Sequence, residues 1–250
     1  MAILKNAINA LDPAPDRKKE LTLLLSLLSE LCEQKVTEFT NAIEEDIRTA
    51  GTAENRSIPV SEILAKHTEY RAYVSADAGK IATEVGGAIK KFVAGGSDEI
   101  IDGIASLLTT GLEAIIGAGK GIQQEMSSYY IVVQGLAIAR YDVKIWSRYI
   151  EASGITSQIE HALAVAAYKS SVDVTKVSLN TFLLAYERQL QEMQFTPQQQ
   201  IEYIDYAEKL YDRLTGAKMQ AGDGGAPALV YAGTAKDFRA PGELSGSLWD

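Results

Sequence analysis

The sequence predicts an all-α protein, an elongated bundle of about five or six helices of which two or more are long. Apolar residues recur at spacings of three, four or seven over long segments, which is the helical period. Glycine, proline and capping residues separate these segments. The most hydrophobic part, residues 92–139, has two apolar segments joined by Gly117, Gly119 and Gly121, and it is expected to form a hydrophobic helical hairpin at the centre of the bundle.

The first long helix is predicted over residues 17–50. Asp12 and Pro13 supply capping chemistry ahead of it, and Gly51 ends it. One apolar stripe follows its length, formed by Leu21, Leu25, Leu28, Cys32, Phe39 and Ile43. A second helix is predicted from Ser57 to Phe92, in which the Gly86-Gly87 pair indicates a kink or a close helix contact.

The hairpin is predicted to contain a helix over residues 98–116, which Ser97 caps. Its apolar side chains fall within an arc of roughly 180° when each residue turns the helix by about 100°. They are Ile100, Ile101, Ile104, Leu107, Leu108, Leu112, Ile115 and Ile116. Asp98, Glu99, Asp102 and Glu113 fall on the opposite side. This two-faced pattern is typical of a surface helix that covers a core, or of a helix that enters a membrane.

The other arm of the hairpin is predicted as a helix over residues 122–151, which is apolar on nearly every side at first. Its β-branched run Ile131-Val132-Val133 is also compatible with a strand. A long helix over residues 157–195 opens on a capping box formed by Ser157 and Glu160. A last helix begins at Pro197 and ends at Gly216. Residues 1–216 are therefore predicted to form one bundle domain, and residues 217–250 an extended or disordered tail.

Composition and motifs argue against several functions. The formal net charge of −9 opposes nucleic acid as a partner, because binding to phosphates requires a basic face. The segment Gly117–Gly121 lacks the glycine and the hydroxyl that a phosphate loop requires around its lysine. His67 and His161 lie far apart without neighbouring ligands, so no metal site is predicted. Since no nucleophile–base pair stands out either, we expect no enzyme and no cofactor.

The same sequence indicates where the protein is made. The first fourteen residues lack the apolar run of a signal peptide. The longest stretch without a charge, Met126–Ala139, has fourteen residues, fewer than the roughly 18 of a membrane-spanning helix. Cys32 is the single cysteine, which excludes an intrachain disulfide. We therefore expect a soluble protein, cytoplasmic as made or released by a route that uses no signal peptide.

The long helices 17–50 and 157–195, together with the hairpin 92–139, resemble the α-helical pore-forming toxins of the cytolysin A type. The resemblance implies a toxin or toxin component that inserts its hairpin into a target lipid membrane and oligomerises there, with itself or with a partner component. Membrane contact would then be made by Phe92, Val93 and the apolar face of helix 98–116. Gly95, Gly96, Gly117, Gly119 and Gly121 would be hinges, and the four acids would be a pH-sensitive brake on insertion. The alternative is a non-enzymatic helical scaffold or protein-interaction module whose apolar hairpin is only its core.

Overall fold

The computed structural model describes residues 15–73, 78–93, 98–116, 123–149 and 161–221. Within these ranges the helices are α1 (Pro15–Thr49), α2 (Ala78–Val93), α3 (Asp98–Ile116), α4 (Leu179–Glu192) and α5 (Pro197–Ala221). The strands are β1 (Val60–Tyr73), β2 (Gln123–Gln134), β3 (Ala137–Tyr149) and β4 (His161–Val172). The four strands form one antiparallel sheet in the order β1-β4-β3-β2. The fold is therefore mixed α and β, and the prediction of an all-α helical bundle is wrong.

The largest correction concerns the second arm of the predicted hairpin, which is the β-hairpin β2–β3. Gly135 and Leu136 form its two-residue turn, and Gly135 takes a φ of 52°, which glycine adopts without strain. The central residues of the two strands pair in register, Tyr130 with Tyr141. Along β3 the charged Arg140, Asp142 and Lys144 alternate with Tyr141, Val143 and Ile145. This period of two is the pattern of a strand, and it overrides the helical interpretation of the flanks.

Two other predicted helices each divide into a strand and a helix. The segment from Ser57 to Phe92 contains β1 and α2, and the segment 157–195 contains β4 and α4. The alanines of β4 favour a helix as isolated residues, but every described side chain from His161 to Tyr168 is buried in the sheet. Burial between two layers has therefore decided the conformation against local propensity.

Three predicted helices are confirmed. The helix predicted over residues 17–50 is α1, and the helix predicted over 98–116 is α3 with the same bounds. The last predicted helix is α5, which begins at Pro197 as expected but continues past Gly216 to Ala221. The predicted hinges Gly95, Gly96, Gly117, Gly119 and Gly121 lie outside the described residues, as does the predicted tail beyond residue 221.

Helix α1 packs on one face of the sheet. Its side chains Cys32, Phe39 and Ile43 form a buried cluster with sheet residues Trp146, Ala162, Ala164, Ala166 and Tyr168. The three alanines point to the same face of β4, and their small side chains leave room for the helix axis to lie close to the strands. Charged pairs flank this cluster, including Glu44 with Lys66 and Lys35 with Glu125.

The opposite face of the sheet carries the larger core, to which helices α2, α3, α4 and α5 all contribute. Leu163, Val165 and Ala167 of β4 point into it, between the residues that face α1. The sheet therefore lies between α1 and the other four helices. Among the helices of the described ranges, none combines the length and the apolar character that a membrane crossing requires.

The thiol of Cys32 provides a test of how firmly α1 is packed. Burial first, and then the charge of Glu33, raise the pKa of Cys32 to about 11, and the side chain is 2% exposed. A free thiol with a pKa of about 8.5 is roughly one quarter thiolate at pH 8. We therefore expect the native protein to react with Ellman's reagent at pH 8 at least about 100-fold more slowly than the urea-unfolded chain. Equal rates would show that α1 leaves the sheet readily.

Candidate ligand-binding site

The predicted membrane-contact residues lie in the core against the sheet. Ile104 is 1% and Leu112 is 0% exposed. Val93, Ile100, Ile101, Leu108, Ile115 and Ile116 are also buried, and Phe92 and Leu107 pack against the same core while half-buried. Because this apolar face already packs in the core and the second arm is a β-hairpin, membrane insertion of a helical hairpin is contradicted. A toxin role of another kind stays a prediction.

The predicted acids of α3 lie on its solvent side, as the helical angles indicated. Glu99, Asp102 and Glu113 are exposed, and Asp102 pairs with Lys90 of α2. The hydroxyl of Tyr203 donates a hydrogen bond to Glu99. The side chain of Asp98 lies outside the described part. Two of these acids thus take part in links between helices, and a role as a pH-sensitive brake stays a prediction.

A different group of polar residues lies between α1 and the β2–β3 hairpin. Arg140 and Asp142 occupy alternate positions of β3, on the same face as Trp146, and this face points toward α1. Their side chains are therefore enclosed by the helix on one side and the sheet on the other. Arg140 is 0% and Asp142 is 5% exposed. Charged residues are almost never buried to this degree unless they are paired, so their partners decide what the site can do.

The guanidinium group of Arg140 is bonded at all three of its nitrogens. Its Nε and Nη2 donate to Oδ1 of Asp142 at 3.0 and 2.6 Å. Its Nη1 donates to Ser57 Oγ at 3.0 Å and to the carbonyl oxygen of Ile58 at 2.7 Å. Nη2 also pairs with the carboxylate of Asp46 on α1. Burial opposes the charge of Arg140, but Asp142 and Asp46 outweigh it and raise the pKa of the guanidinium. Arg140 therefore stays charged and joins α1, β3 and the loop before β1.

Asp46 is held in place by the loop that follows α1. The side-chain amide of Asn55 donates to the carbonyl oxygen of Asp46 at 3.0 Å and to its Oδ1 at 2.9 Å. The same amide reaches Thr49 Oγ1 at 3.0 Å. The ring of Tyr129 on β2 lies 4.4 Å from the Arg140 guanidinium, within the range of a cation–π contact. Arg140 is thus surrounded by partners from α1, β2, β3 and the loop before β1.

Only one oxygen of the Asp142 carboxylate accepts hydrogen bonds from the described residues. Its Oδ1 accepts both bonds from Arg140, while Oδ2 is buried and has no hydrogen-bond partner among the described residues. Burial is the largest influence on this carboxyl group and raises its pKa, although Arg140 acts in the opposite direction. An unsatisfied buried acceptor costs about 1–3 kcal/mol, and more if it is charged. The folded protein therefore bears a cost in free energy at this enclosed oxygen.

A cleft of about 260 Å³ adjoins this carboxylate. Residues of α1, β2, β3 and the loop before β1 line it; they are Ala42, Ile43, Asp46, Ser57, Ser127, Ser128, Tyr129, Asp142, Val143 and Lys144. The ammonium group of Lys144 donates to Ser127 Oγ at 2.8 Å. The described ranges contain no group of three or more side chains placed to hold a metal ion. The cleft is thus lined by acidic residues, a lysine and residues that carry hydroxyl groups.

Neither Arg140 nor Asp142 was among the sites predicted from the sequence. The signal that marks them is the alternation of charged and apolar residues from Arg140 to Trp146. In a helix Asp142 would lie on the side opposite Arg140 and Lys144, whereas in a strand all three share one face. Recognising β3 as a strand would have placed three charged side chains together against a buried helix.

Comparison of the chain with protein-family models, with curated proteins and with solved structures found no match.

Proposed function

We propose that the protein is a non-enzymatic binding protein that takes a small polar molecule into the cleft between α1 and the β2–β3 hairpin. The observation that carries this proposal is the cleft itself, a space of about 260 Å³ whose lining brings together Asp46, Asp142, Lys144 and the hydroxyl-bearing Ser127 and Ser128. A small polar molecule would find both hydrogen-bond donors and acceptors among these residues.

The charges around the cleft favour a ligand without net charge. Asp46 and Asp142 contribute two negative charges, and Arg140 and Lys144 contribute two positive charges. Since these sum to zero, a strongly charged ligand would leave one sign unbalanced in a half-buried site. The volume of about 260 Å³ lies just below the roughly 300–1,000 Å³ of pockets for drug-sized ligands. A molecule the size of an amino acid or a monosaccharide suits it.

The site is already organised before any ligand arrives. The bonds from Arg140 fix Asp142 and the end of α1, and those from Asn55 fix Asp46. A rigid site loses little conformational entropy on binding, so more of the interaction energy remains as affinity. This arrangement supports a binding role in which the protein does not have to fold around its ligand.

A thermal-shift experiment tests the proposal. We expect at least one of three probes (glycine, ethylamine or glucose, each at 10 mM) to raise the melting temperature of the full chain. Asp142→Asn keeps an oxygen for Arg140 but removes a negative charge from the lining of the cleft, so it should reduce that rise. The control Asp205→Asn changes an exposed acid of α5 and should leave the rise intact.

A second variant covers the case in which Asp142→Asn fails to fold. Ala42 lines the cleft from α1 but is exposed, so phenylalanine at this position would fill the cleft without disturbing the core. Ala42→Phe should therefore fold and lose the response to the probe. If no probe shifts the wild-type protein, or if both cleft variants respond as the wild type does, the cleft is not a binding site.

A further inference from the structure

We propose that the outer edge of strand β1 is the interface at which two copies of this chain join their sheets into one antiparallel sheet. Strand β1 lies at the end of the order β1-β4-β3-β2 and pairs with β4 alone within the described sheet. The residues that line the cleft come from α1, β2, β3 and the loop before β1, so this surface is separate from the proposed binding site. Three features of β1 favour the pairing: its uncovered backbone, its exposed side chains and its pattern of charges.

The backbone edge of β1 is long and uncovered. The strand has 14 residues, whereas strands in globular proteins usually have about 5–6. In the described part of the chain, the backbone of residues 60–70 pairs with β4 and with no other element. At the other edge of the sheet, by contrast, the side-chain amide of Gln189 bonds to both backbone groups of Ile131 in β2. A row of unpaired N–H and C=O groups such as that of β1 is a template for a further strand.

The side chains of β1 are exposed even on the face that carries α1. Lys66 and Tyr70 bond to Glu44 and Glu33 of this helix. Thr68 lies between them on the same face of the strand and is exposed. Helix α1 therefore leaves the edge accessible at Thr68. The ring of Tyr70 is 42% exposed, and a further strand beside β1 would cover part of it.

Two irregularities confine the pairing to the second half of β1. Its register with β4 shifts between Val60 and Glu62 and again between Ile63 and Ala65. Bulges of this kind bend a strand and interrupt the pairing of its edge. From Ala65 to Tyr73 the register is continuous. A partner strand therefore finds one regular stretch of β1 with which it can pair.

The charges of β1 fit a second copy of the same strand. The chain has a formal net charge of −9, so two copies repel each other unless the surfaces that meet are balanced. Strand β1 contains two acids and two bases, Glu62, Glu69, Lys66 and Arg71. These charges sum to zero when His67 is neutral. Two copies of β1 can therefore approach each other without net repulsion between the strands.

A two-fold axis perpendicular to the joined sheet limits the register of the two strands. Residues that face each other have side chains on the same side of the sheet, so the axis passes between one residue of β1 and its own copy. Lys66 or Glu69 at this position would place like charges directly opposite each other, which is destabilising. Tyr70 at this position would leave Lys66 opposite no residue of the strand. An axis nearer the start of β1 would bring the bulges into the paired stretch.

Thr68 on the axis meets all of these conditions. The paired stretch then stays within the continuous register, and two threonines face each other at its centre, a pair that stabilises antiparallel strands. Lys66 faces Tyr70 of the second copy, where an ammonium group can contact the ring. On the other face of the sheet, His67 faces Glu69 of the second copy. The sequence of β1 is thus complementary to itself around Thr68.

Sedimentation equilibrium of the full chain tests this pairing. We expect the apparent mass to rise with protein concentration from that of one chain, 27.1 kDa, toward twice this value. Thr68→Lys and Thr68→Glu should each weaken the dimer at least about tenfold, because like charges would face each other on the axis. Thr110→Lys, at an exposed threonine of α3, is the matched control and should dimerise as the wild type does.

A mixture of the two charged variants distinguishes repulsion at the axis from a loss of folding. Equal amounts of Thr68→Lys and Thr68→Glu should restore the dimer, since opposite charges then face each other. A variant that had failed to fold would not recover on mixing.

A cysteine on the axis tests the register directly. Facing residues of an antiparallel pair have Cα atoms about 4.5–5.5 Å apart, which is within the range of a disulfide bond. Oxidised glutathione should therefore convert Thr68→Cys into a covalent dimer and leave Thr110→Cys as a single chain. The native Cys32 is 2% exposed and does not compete.

A chain that stays monomeric at about 1 mM would overturn the inference, as would a dimer that Thr68→Lys leaves intact. A mixture that does not recover, or a Thr68→Cys variant that does not cross-link, would contradict the axis at Thr68. Binding of an extended segment of a different protein to β1, in a chain that does not dimerise, would rule out the second copy as the partner.

Discussion

Replacement of Arg140 by methionine is expected to lower the free energy of unfolding by about 3–5 kcal/mol. The side chain is 0% exposed, and it is bonded to Asp142, Asp46, Ser57 and the carbonyl oxygen of Ile58. Methionine preserves much of the volume but removes the charge. The variant would leave the buried Asp142 without the cation that pairs with it, and the cost of an uncompensated buried charge is larger than the net stability of the pair itself.

Urea denaturation of Arg140→Met and of the double variant Arg140→Met/Asp142→Leu separates these two contributions. If the loss of stability comes from the unpaired carboxylate of Asp142, replacement of Asp142 should restore part of the free energy of unfolding, since the two substitutions are coupled. Asp46 is 41% exposed at its side chain and can be hydrated. Arg188→Met is the control: Arg188 is 82% exposed, and its replacement should change the stability by no more than about 0.5 kcal/mol. Strictly additive effects in the double variant would contradict this account.

The same cluster explains why stability and the proposed binding are linked at this point of the fold. Arg140 connects α1 through Asp46, the loop before β1 through Ser57, and β3 through Asp142. A well-packed apolar group of the same shape would often be as stable as a buried ion pair. The charged arrangement therefore has its clearest use in holding Asp142 beside the cleft with one oxygen unpaired.

Helix α3 shows what the sequence could predict. Its bounds, 98–116, follow from a capping serine and a wide apolar stripe, and the structure has the same bounds. The arc of apolar residues and the opposite position of Glu99, Asp102 and Glu113 are confirmed as well. A helix is specified by residues within four positions of each other, so its pattern can be read from one segment. What the pattern leaves open is whether the apolar face meets a core or a membrane.

Strand β4 shows why the sheet was missed. Its residues Ala162, Ala164, Ala166 and Ala167 have the highest helix propensity of any type, and none is β-branched. They form a strand because β1 and β3 pair with both edges and because α1 needs small side chains beneath it. The strand partners of these alanines lie 14 to 100 residues away along the chain, and the residues of α1 that cover them lie further still. A local pattern contains no information on these partners, so the sequence favoured a helix over a strand.

The candidate site could not be predicted for the same reason. Arg140, Asp142 and Lys144 are ordinary charged residues in a sequence of 57 acidic and basic side chains. Their chemistry depends on α1 covering one face of β3, and this contact joins residues 94 positions apart, Asp46 and Arg140. The burial that leaves Asp142 Oδ2 unpaired is a property of the layers, which only the correct assignment of β3 as a strand would have indicated.

Replacement of Gln189 by leucine is expected to lower the free energy of unfolding by about 2–6 kcal/mol. Gln189 of α4 is 6% exposed. Both the oxygen and the nitrogen of its side-chain amide form hydrogen bonds with the backbone of Ile131. Its Oε1 accepts from the Ile131 N–H at 2.6 Å, and its Nε2 donates to the Ile131 carbonyl oxygen at 2.8 Å. Strand β2 is at the edge of the sheet, so these backbone groups face away from β3. Leucine would leave two buried polar groups unpaired, each at about 1–3 kcal/mol.

Two measurements distinguish this effect from a simple loss of packing. Urea denaturation should show the loss for Gln189→Leu but not for Gln191→Leu, an exposed glutamine two positions along the same helix. Hydrogen exchange should be faster at the Ile131 amide in the first variant, while amides that bond to β3 stay protected. Unchanged exchange at Ile131 would show that Gln189 does not hold the edge. With the predicted result, α4 has a definite role: its glutamine takes the place of a neighbouring strand and keeps the edge of β2 from pairing with another chain.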